Sequence, residues 1–231
     1  MFYKATVPLT ISRKLQEMID CGELKKDEKI PSQRVLSETL KVSRASLREA
    51  LLTLETLGLV RTFPARGTYV VGPETPPVNL GSAWRSDLKH PIKDVFQSRL
   101  LIECELCRLA ATRITKEEVA SLRSAAMEFI SAWREQDLIT HVEADLTFHK
   151  LIAEACPNAM LRELYSSVQK LLSESQRQPV PYTAPQRMEA SFAEHRAITD
   201  ALEAMDPALA VKAMNAHIKN TAFCAGVDLT I

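Results

Sequence analysis

The sequence predicts a mainly α chain in two parts: a small N-terminal winged helix-turn-helix domain, then a C-terminal antiparallel helical bundle. Three observations carry this expectation. A break falls between Val71 and Ser82, where three prolines and two glycines crowd into ten residues, a composition that neither a helix nor a central strand continues. Beyond Pro91 no glycine occurs until Gly226, and apolar residues recur there at helical spacing almost throughout. Before the break, three helical patterns precede two alternating segments that flank Pro64-Ala65-Arg66-Gly67. The expected division is residues 1–72 for the first domain, a linker over 73–91, and an all-helical domain over 92–231.

Composition sets the outer limits. The chain has 231 residues, 46% hydrophobic and 25% charged, which is ordinary for a globular protein large enough to fold without staples. No apolar run approaches the roughly 18 residues that span a bilayer. The opening Met1-Phe2-Tyr3-Lys4 leads into no apolar leader segment. Five cysteines, an odd number in scattered apolar contexts, read as reduced thiols, so the expected location is the cytoplasm. The formal net charge of zero hides an asymmetry. Residues 1–72 hold 12 Lys/Arg against 8 Asp/Glu, and the remainder holds 17 against 21. A +4 head on a −4 body points to a polyanionic partner for the head.

The N-terminal elements follow in order. Ile11, Leu15, Met18 and Ile19 form the stripe of a first helix ending near Cys21-Gly22. Ser32 caps a short second helix that carries Val35, Leu36 and Leu40. Ser43 opens a third helix with Leu47, Ala50, Leu51 and Leu54 inward and Arg44 and Arg48 outward, one turn apart. Two helices joined by a tight turn, the second showing Arg and Ser near its start, make the helix-turn-helix pattern. Leu59-Val60-Arg61 and Thr68-Tyr69-Val70-Val71 then form a hairpin, with Gly67 free to take positive φ. Arginine suits guanine in the major groove, serine hydroxyls suit phosphates, and Arg66 at a wing tip suits the minor groove.

Residues Ile30-Pro31-Ser32-Gln33-Arg34, Leu40-Lys41-Val42-Ser43-Arg44, Leu47-Arg48-Glu49-Ala50-Leu51, Gly58-Leu59-Val60 and Arg66-Gly67-Thr68-Tyr69-Val70 resemble the winged-helix domain of the GntR family of bacterial transcription regulators. The resemblance runs over about 60 residues. It implies that Arg34, Ser43, Arg44, Ser46, Arg48, Arg66 and Gly67 contact double-stranded operator DNA. Lys41 stands where the family has glycine, and Gln33 where it has glutamate. If that turn needs positive φ, Lys41 carries a cost on the order of 1 kcal/mol.

In the second part, six helices are expected over roughly 92–113, 116–135, 137–155, 158–176, 186–204 and 207–224. Thr115-Lys116-Glu117-Glu118 is a capping box, and Asp206-Pro207 sets a cap before a first-turn proline. Long helices with short connections pack antiparallel. Polar residues interrupt three apolar stripes. Val142, Asp145, His149 and Ile152 share one face. His195 lies with Phe192 and Leu202, and His217 with Ala210 and Ala213. A buried carboxylate needs a partner or a cation. One Asp with three His offers one oxygen and three nitrogens, a donor set for zinc, nickel, manganese or iron. Each histidine taken singly also fits a hydrogen-bonded core position.

Residues 92–224 resemble the FCD ligand-binding domain of the FadR-type branch of that family. The stretches that carry this are Ser98-Arg99-Leu100-Leu101-Ile102-Glu103, Asp145-Leu146-Thr147-Phe148-His149, Glu194-His195-Arg196-Ala197-Ile198 and Ala216-His217-Ile218. The resemblance implies that Asp145, His149, His195 and His217 hold a divalent metal, zinc foremost. It also implies that a small organic acid completes the coordination, with Arg99 pairing the acid's carboxylate. Cys104 and Cys107 form a CxxC pattern inside a helix with no second pair, and no metal or redox role is expected of them.

The function expected is a homodimeric repressor whose affinity for an inverted-repeat operator answers to the acid. Two alternatives stand beside it: a metal-dependent enzyme built in a helical bundle, and a direct sensor of the metal. Neither an HExxH motif nor a general base beside the ligands supports the enzyme.

Overall fold

The computed structural model describes residues 7–63, 65–71, 90–177 and 185–229. The chain forms two compact units, Met1–Val78 and Asn79–Ile231. Most of the linker expected at 73–91 lies outside the described residues, as does most of the connection between the helices expected over 158–176 and 186–204.

The first unit opens with α1 (Val7–Asp20), which buries Ile11, Leu15 and Met18 and packs on α3 (Arg44–Thr56). Ser12 is also buried in that seam and donates its hydroxyl to the Pro8 carbonyl one turn back. Between them stands α2 (Gln33–Thr39), capped by Ser32, whose hydroxyl accepts from the Val35 amide. Val35, one of the apolar residues this helix carries, is 42% exposed. A two-turn helix buries one narrow stripe, and Val35 points about 100° from the buried Leu36. Lys41 in the following turn has φ +52°, so the residue standing in place of glycine does adopt the left-handed conformation.

Strands β1 (Val60–Phe63) and β2 (Gly67–Val70) pair antiparallel, with Val60 opposite Val70 and Phe63 opposite Gly67. A third segment joins β2: Ile30 N–H donates to Thr68 O at 2.8 Å and Val70 N–H to Glu28 O at 3.0 Å. Sequence reading missed this edge because Asp27-Glu28-Lys29 shows no apolar alternation.

The second unit is entirely helical among its described residues. Its elements are α4 (Ile92–Ala110), α5 (Lys116–Arg134), α6 (Leu138–Ala155), α7 (Ala159–Arg177), α8 (Pro185–Glu203) and α9 (Pro207–Cys224). The expected caps are in place. Thr115 and Glu118 exchange both capping-box bonds, at 2.8 and 3.2 Å, and the Asp206 carboxylate accepts from the Ala208 and Leu209 amides.

Helix α4 packs against α6, α7 and α9, while α5 packs against α6 and α8, and α8 against α9. The main core gathers Phe96, Leu122, Phe148, Ile198 and Met214. A smaller cluster around Leu106, Tyr165 and Leu172 seats α7. Past α9, Gly226 turns at φ +73° and Val227 N–H donates to Ala222 O, a Schellman closure that folds Val227 and Leu229 back into the core. No helix among the described residues is long and apolar enough to cross a membrane.

Candidate nucleic-acid interface and metal centre

On the first unit, Arg44 and Arg48 are exposed on α3, away from its buried Leu47 and Leu51. Ser43 and Ser46 sit at the same helix start. The Ser43 hydroxyl accepts from the Ser46 amide at 3.0 Å and lies 2.8 Å from the Ser46 hydroxyl. That cap holds the first turn of α3 in shape and leaves its arginines pointing outward. Arg34 is exposed on α2 and lies 3.6 Å from Glu38. Arg66 is exposed at the hairpin, its guanidinium 5.6 Å from the centre of the Phe63 ring. Gly67 has φ +111°, and a Cβ there would meet Lys29 Cε at 2.5 Å, so this position admits glycine alone without rearrangement.

In the second unit the four residues singled out from their spacing come together. One ligand atom each from Asp145, His149, His195 and His217 lies within 4.8 Å of all the others. Helix α6 supplies the Asp and the first His one turn apart, and α8 and α9 supply the others. All three imidazoles are buried, His195 completely, while Asp145 keeps 14% of its side chain exposed. His195 Nε2 stands 3.2 Å from Asp145 Oδ1, and His149 Nε2 stands 3.9 Å from it. The His195 ring stacks on Phe148 at 4.2 Å and meets Phe129 edge-on, which fixes its plane.

Behind two of the histidines stand glutamates that the sequence reading did not single out. Glu103 Oε2 lies 2.7 Å from His149 Nδ1, although off the line an N–H bond prefers. Two lone-pair atoms do not approach so closely, so the proton resides on Nδ1. Glu194 Oε2 lies 2.9 Å from His217 Nδ1, and a carboxylate only accepts, so the same tautomer holds there. In both rings Nε2 is left with its lone pair.

Each glutamate is in turn held by an arginine. Arg99 Nε donates to Glu103 Oε1 at 2.7 Å and Nη2 to Oε2 at 3.3 Å. Arg187 donates to both oxygens of Glu194, at 2.9 and 2.8 Å, and Asn220 adds a third bond at 2.7 Å.

The electrostatics agree with this arrangement. Burial on its own raises the Glu103 carboxyl, but Arg99 and His149 outweigh it and bring it down to about 2. Glu194 is likewise raised by burial and then lowered to about 2 by His217, Arg187 and Asn220. Burial raises Asp145 too, yet His195, His149 and His217 hold it well below the usual carboxylate range. Burial is also the main reason that His217 falls to about 4, with Glu194 opposing the shift and His195 and His149 adding to it. His195 is lowered for the same leading reason. Burial thus favours the neutral ring at His195 and His217, and both face the Asp145 carboxylate.

The donors fit a divalent cation. His149 Nε2 and both ring nitrogens of His195 are buried without a well-directed hydrogen bond. Each such orphan costs about 1–3 kcal/mol, and a cation at the centre of the cluster satisfies His149 Nε2 and one nitrogen of His195. Ligands on an ion with bonds of about 2.0–2.2 Å stand at most about 4.4 Å apart, so the set closes onto an ion by small side-chain adjustments.

Other residues take other places. Arg99, expected beside an effector carboxylate, is fully buried with its guanidinium on Glu103. His141 donates from Nδ1 to Phe129 O at 2.8 Å, a core bond. Cys104 and Cys107 are buried, and burial pushes the Cys104 thiol up to about 11 and the Cys107 thiol higher. Neither is a ready nucleophile or ligand.

A winged helix-turn-helix domain followed by a helical domain with a buried polar centre defines a class: a DNA-binding transcription regulator with a second, helical domain. Comparison with known proteins gives the family. Residues 9–70 match the family described as "Bacterial regulatory proteins, gntR family", and residues 94–220 match the FCD domain. The chain is 32% identical over 207 residues to the HTH-type transcriptional regulator LutR of Bacillus subtilis (strain 168), covering 88% of this chain and 94% of that one. It is 29% identical over 214 residues to the HTH-type transcriptional repressor NanR of Enterobacter sp. (strain 638), covering 91% and 82%. The fold is shared with E. coli McbR/YncC, at TM-score 0.55 and 18% identity over 96% of this chain and 98% of that one. A GntR transcriptional regulator from Rhodococcus sp. RHA1 shows the same likeness, at TM-score 0.55 and 19% identity over 95% and 97%. The chain belongs to the GntR family of bacterial regulators, with a C-terminal FCD domain. It is a DNA-binding transcriptional regulator, and the enzyme reading is set aside.

Proposed function

We propose that the protein is a cytoplasmic, homodimeric repressor in which Asp145, His149, His195 and His217 hold one divalent metal. A small organic acid completes the metal's coordination and changes affinity for an inverted-repeat operator. The observation that carries the reading is the two Glu-backed histidines: with His195, whose Nε2 stands 3.2 Å from Asp145, they bring one ligand atom each within 4.8 Å of one another and of an Asp145 oxygen. Zinc suits three imidazoles and a carboxylate, with nickel, manganese and iron as alternatives. Four protein ligands leave further positions open on a six-coordinate ion, and those positions take an acid's oxygens. The DNA face is Arg34, Ser43, Arg44, Ser46, Arg48, Arg66 and Gly67, with Arg44 and Arg48 reading bases and the others placing the backbone. The name of the NanR relative, a repressor, supports the sign of the regulation.

Elemental analysis of purified full-length protein tests the metal. Close to one divalent ion per chain is expected, with His195→Ala and His217→Ala depleted. Equal metal content in wild type and both variants overturns the site. Gel shifts of metal-loaded protein, with and without organic acids, then test the response. A protein that releases operator on metal alone, whatever acid is present, makes the metal the signal and refutes the acid.

A further inference from the structure

Besides Arg66, the wing carries a second cation at its tip, and it comes from chain that precedes the helix-turn-helix. Residues 28–30 lie along β2 on the side away from β1. Lys29 pairs with Tyr69, and the bonds from Ile30 N–H to Thr68 O and from Val70 N–H to Glu28 O flank that pair. In an antiparallel ladder this is the narrow pairing, in which facing side chains come closest. Alternation then sorts the two faces. Ile30, Val60 and Val70 are each 2% exposed and turn to the core. Lys29, Tyr69 and Gly67 therefore share the outer face with Phe63, which stands opposite Gly67. The Phe63 and Tyr69 rings meet edge-on at 5.7 Å, and the Arg66 guanidinium lies 5.6 Å from the Phe63 ring centre.

Lys29 is exposed, yet its side chain does not simply run out into solvent. Its Cε, Nζ and Cδ lie 2.5, 3.2 and 3.6 Å from where a Cβ on Gly67 would stand, so the stem crosses the bare backbone of the wing turn. Among the described residues, neither Lys29 nor Arg66 has a carboxylate partner. Two uncompensated cations at one turn repel each other in the free protein, and an anion relieves them. A lysine on a sheet edge also discourages strand pairing, but that role asks only for a charge in solvent and not for a stem laid over a glycine.

We propose that Lys29 is a DNA contact, its ammonium meeting a backbone phosphate beside the groove that the wing tip enters. An ammonium is a compact point charge suited to phosphate, without the planar fork that reads a guanine edge. The inference rests on the reading that Arg66 and Gly67 touch DNA, because an anion that reaches Gly67 is within reach of the amine laid across it. Gly67 thereby gains a second task, that of leaving open the path over which Lys29 arrives.

Full-length protein and short duplexes of mixed sequence test this by fluorescence anisotropy over a series of potassium chloride concentrations. Lys29→Gln is expected to flatten the slope of log affinity against log salt by about 0.9 for each wing bound, the share of one phosphate. Lys29→Arg, which keeps the charge, is expected to keep the slope. The loss in Lys29→Gln is expected to be equal on A·T-rich and G·C-rich duplexes, since a phosphate contact carries no base preference. A Lys29→Gln slope equal to that of wild type overturns the assignment. So does a loss that depends on base composition, or a Lys29→Arg slope as shallow as that of Lys29→Gln. Arg66→Ala is read beside them. If it and Lys29→Gln both keep the wild-type slope, the wing's contact with DNA itself fails; if Arg66→Ala alone flattens, the contact stands and Lys29 has no part in it.

Discussion

Replacing Arg99 with methionine leaves Glu103 without its guanidinium in a place that water does not reach. The two side chains are 0% and 3% exposed, and their charged atoms meet at 2.7 Å, so solvent screens the pair very little. Removing one partner of a buried ion pair costs about 3–5 kcal/mol, most of it the penalty on the charge left behind. Methionine retains much of the arginine stem's volume, so lost packing adds little. For a helical unit of this size the loss lowers the thermal midpoint by on the order of 10 °C. The assay is urea unfolding of metal-free protein at neutral pH, so that loss of metal does not enter the measurement. Pairing Arg99→Met with Glu103→Gln removes both charges and is expected to recover most of the stability, to within about 1–2 kcal/mol of wild type. A single Arg99→Met variant destabilised by less than about 1 kcal/mol, or a double variant no better than the single, refutes the pairing as the reason Arg99 is buried.

Four further outcomes follow from the same geometry. Arg44→Ala and Arg48→Ala are each expected to weaken operator binding by about 1–3 kcal/mol with unchanged unfolding, since both side chains point away from the core; wild-type affinity in a gel shift would refute their base-reading role. Lys41→Gly removes a left-handed cost of about 1–2 kcal/mol and adds about 0.5–1 kcal/mol of backbone entropy. A net gain of about 0.5 kcal/mol is therefore expected in urea unfolding, and a loss contradicts it. Gly67→Ala places a Cβ against Lys29 at a φ that alanine avoids, so it is expected to disorder the wing turn and weaken operator binding, which nuclear magnetic resonance of the hairpin amides and a gel shift together check. Stripping divalent metal with a chelator is expected to lower the melting temperature of wild type but not that of His195→Ala, because a ligand set drawn from three helices ties α6, α8 and α9 together; equal shifts in both would refute the link.

The reading head was legible because its signals are local. Ser32 and Ser43 cap the helices they precede, and the chain around Gly67 turns where a glycine is required. The bundle was legible for the same reason at Thr115 and Asp206, and its four polar intruders showed themselves by standing at spacings that belong to apolar residues. What escaped was whatever depends on which helices come to lie side by side. The pairing of residues 28–30 with β2 is one case, since three charged residues in a row carry no strand pattern. The return of Val227 and Leu229 to the core is another.

Glu194 shows the limit most sharply. It is the immediate neighbour of His195, yet it serves His217, 23 residues further along the chain. Successive residues on a helix point about 100° apart, so when His195 faces the centre, Glu194 must face sideways. Only the packing of α8 on α9 determines that an imidazole waits there. The spacing of Arg99 and Glu103, four residues apart, announces a pair on one helix face, but an exposed pair and a buried one have the same spacing. Burial is what separates a surface ion pair of little consequence from one that fixes a histidine tautomer, and burial is decided by α6 and α7 closing over α4. The four polar residues of this cluster are therefore written in helical periodicity, whereas the residues that set their tautomers are written in the contacts between helices.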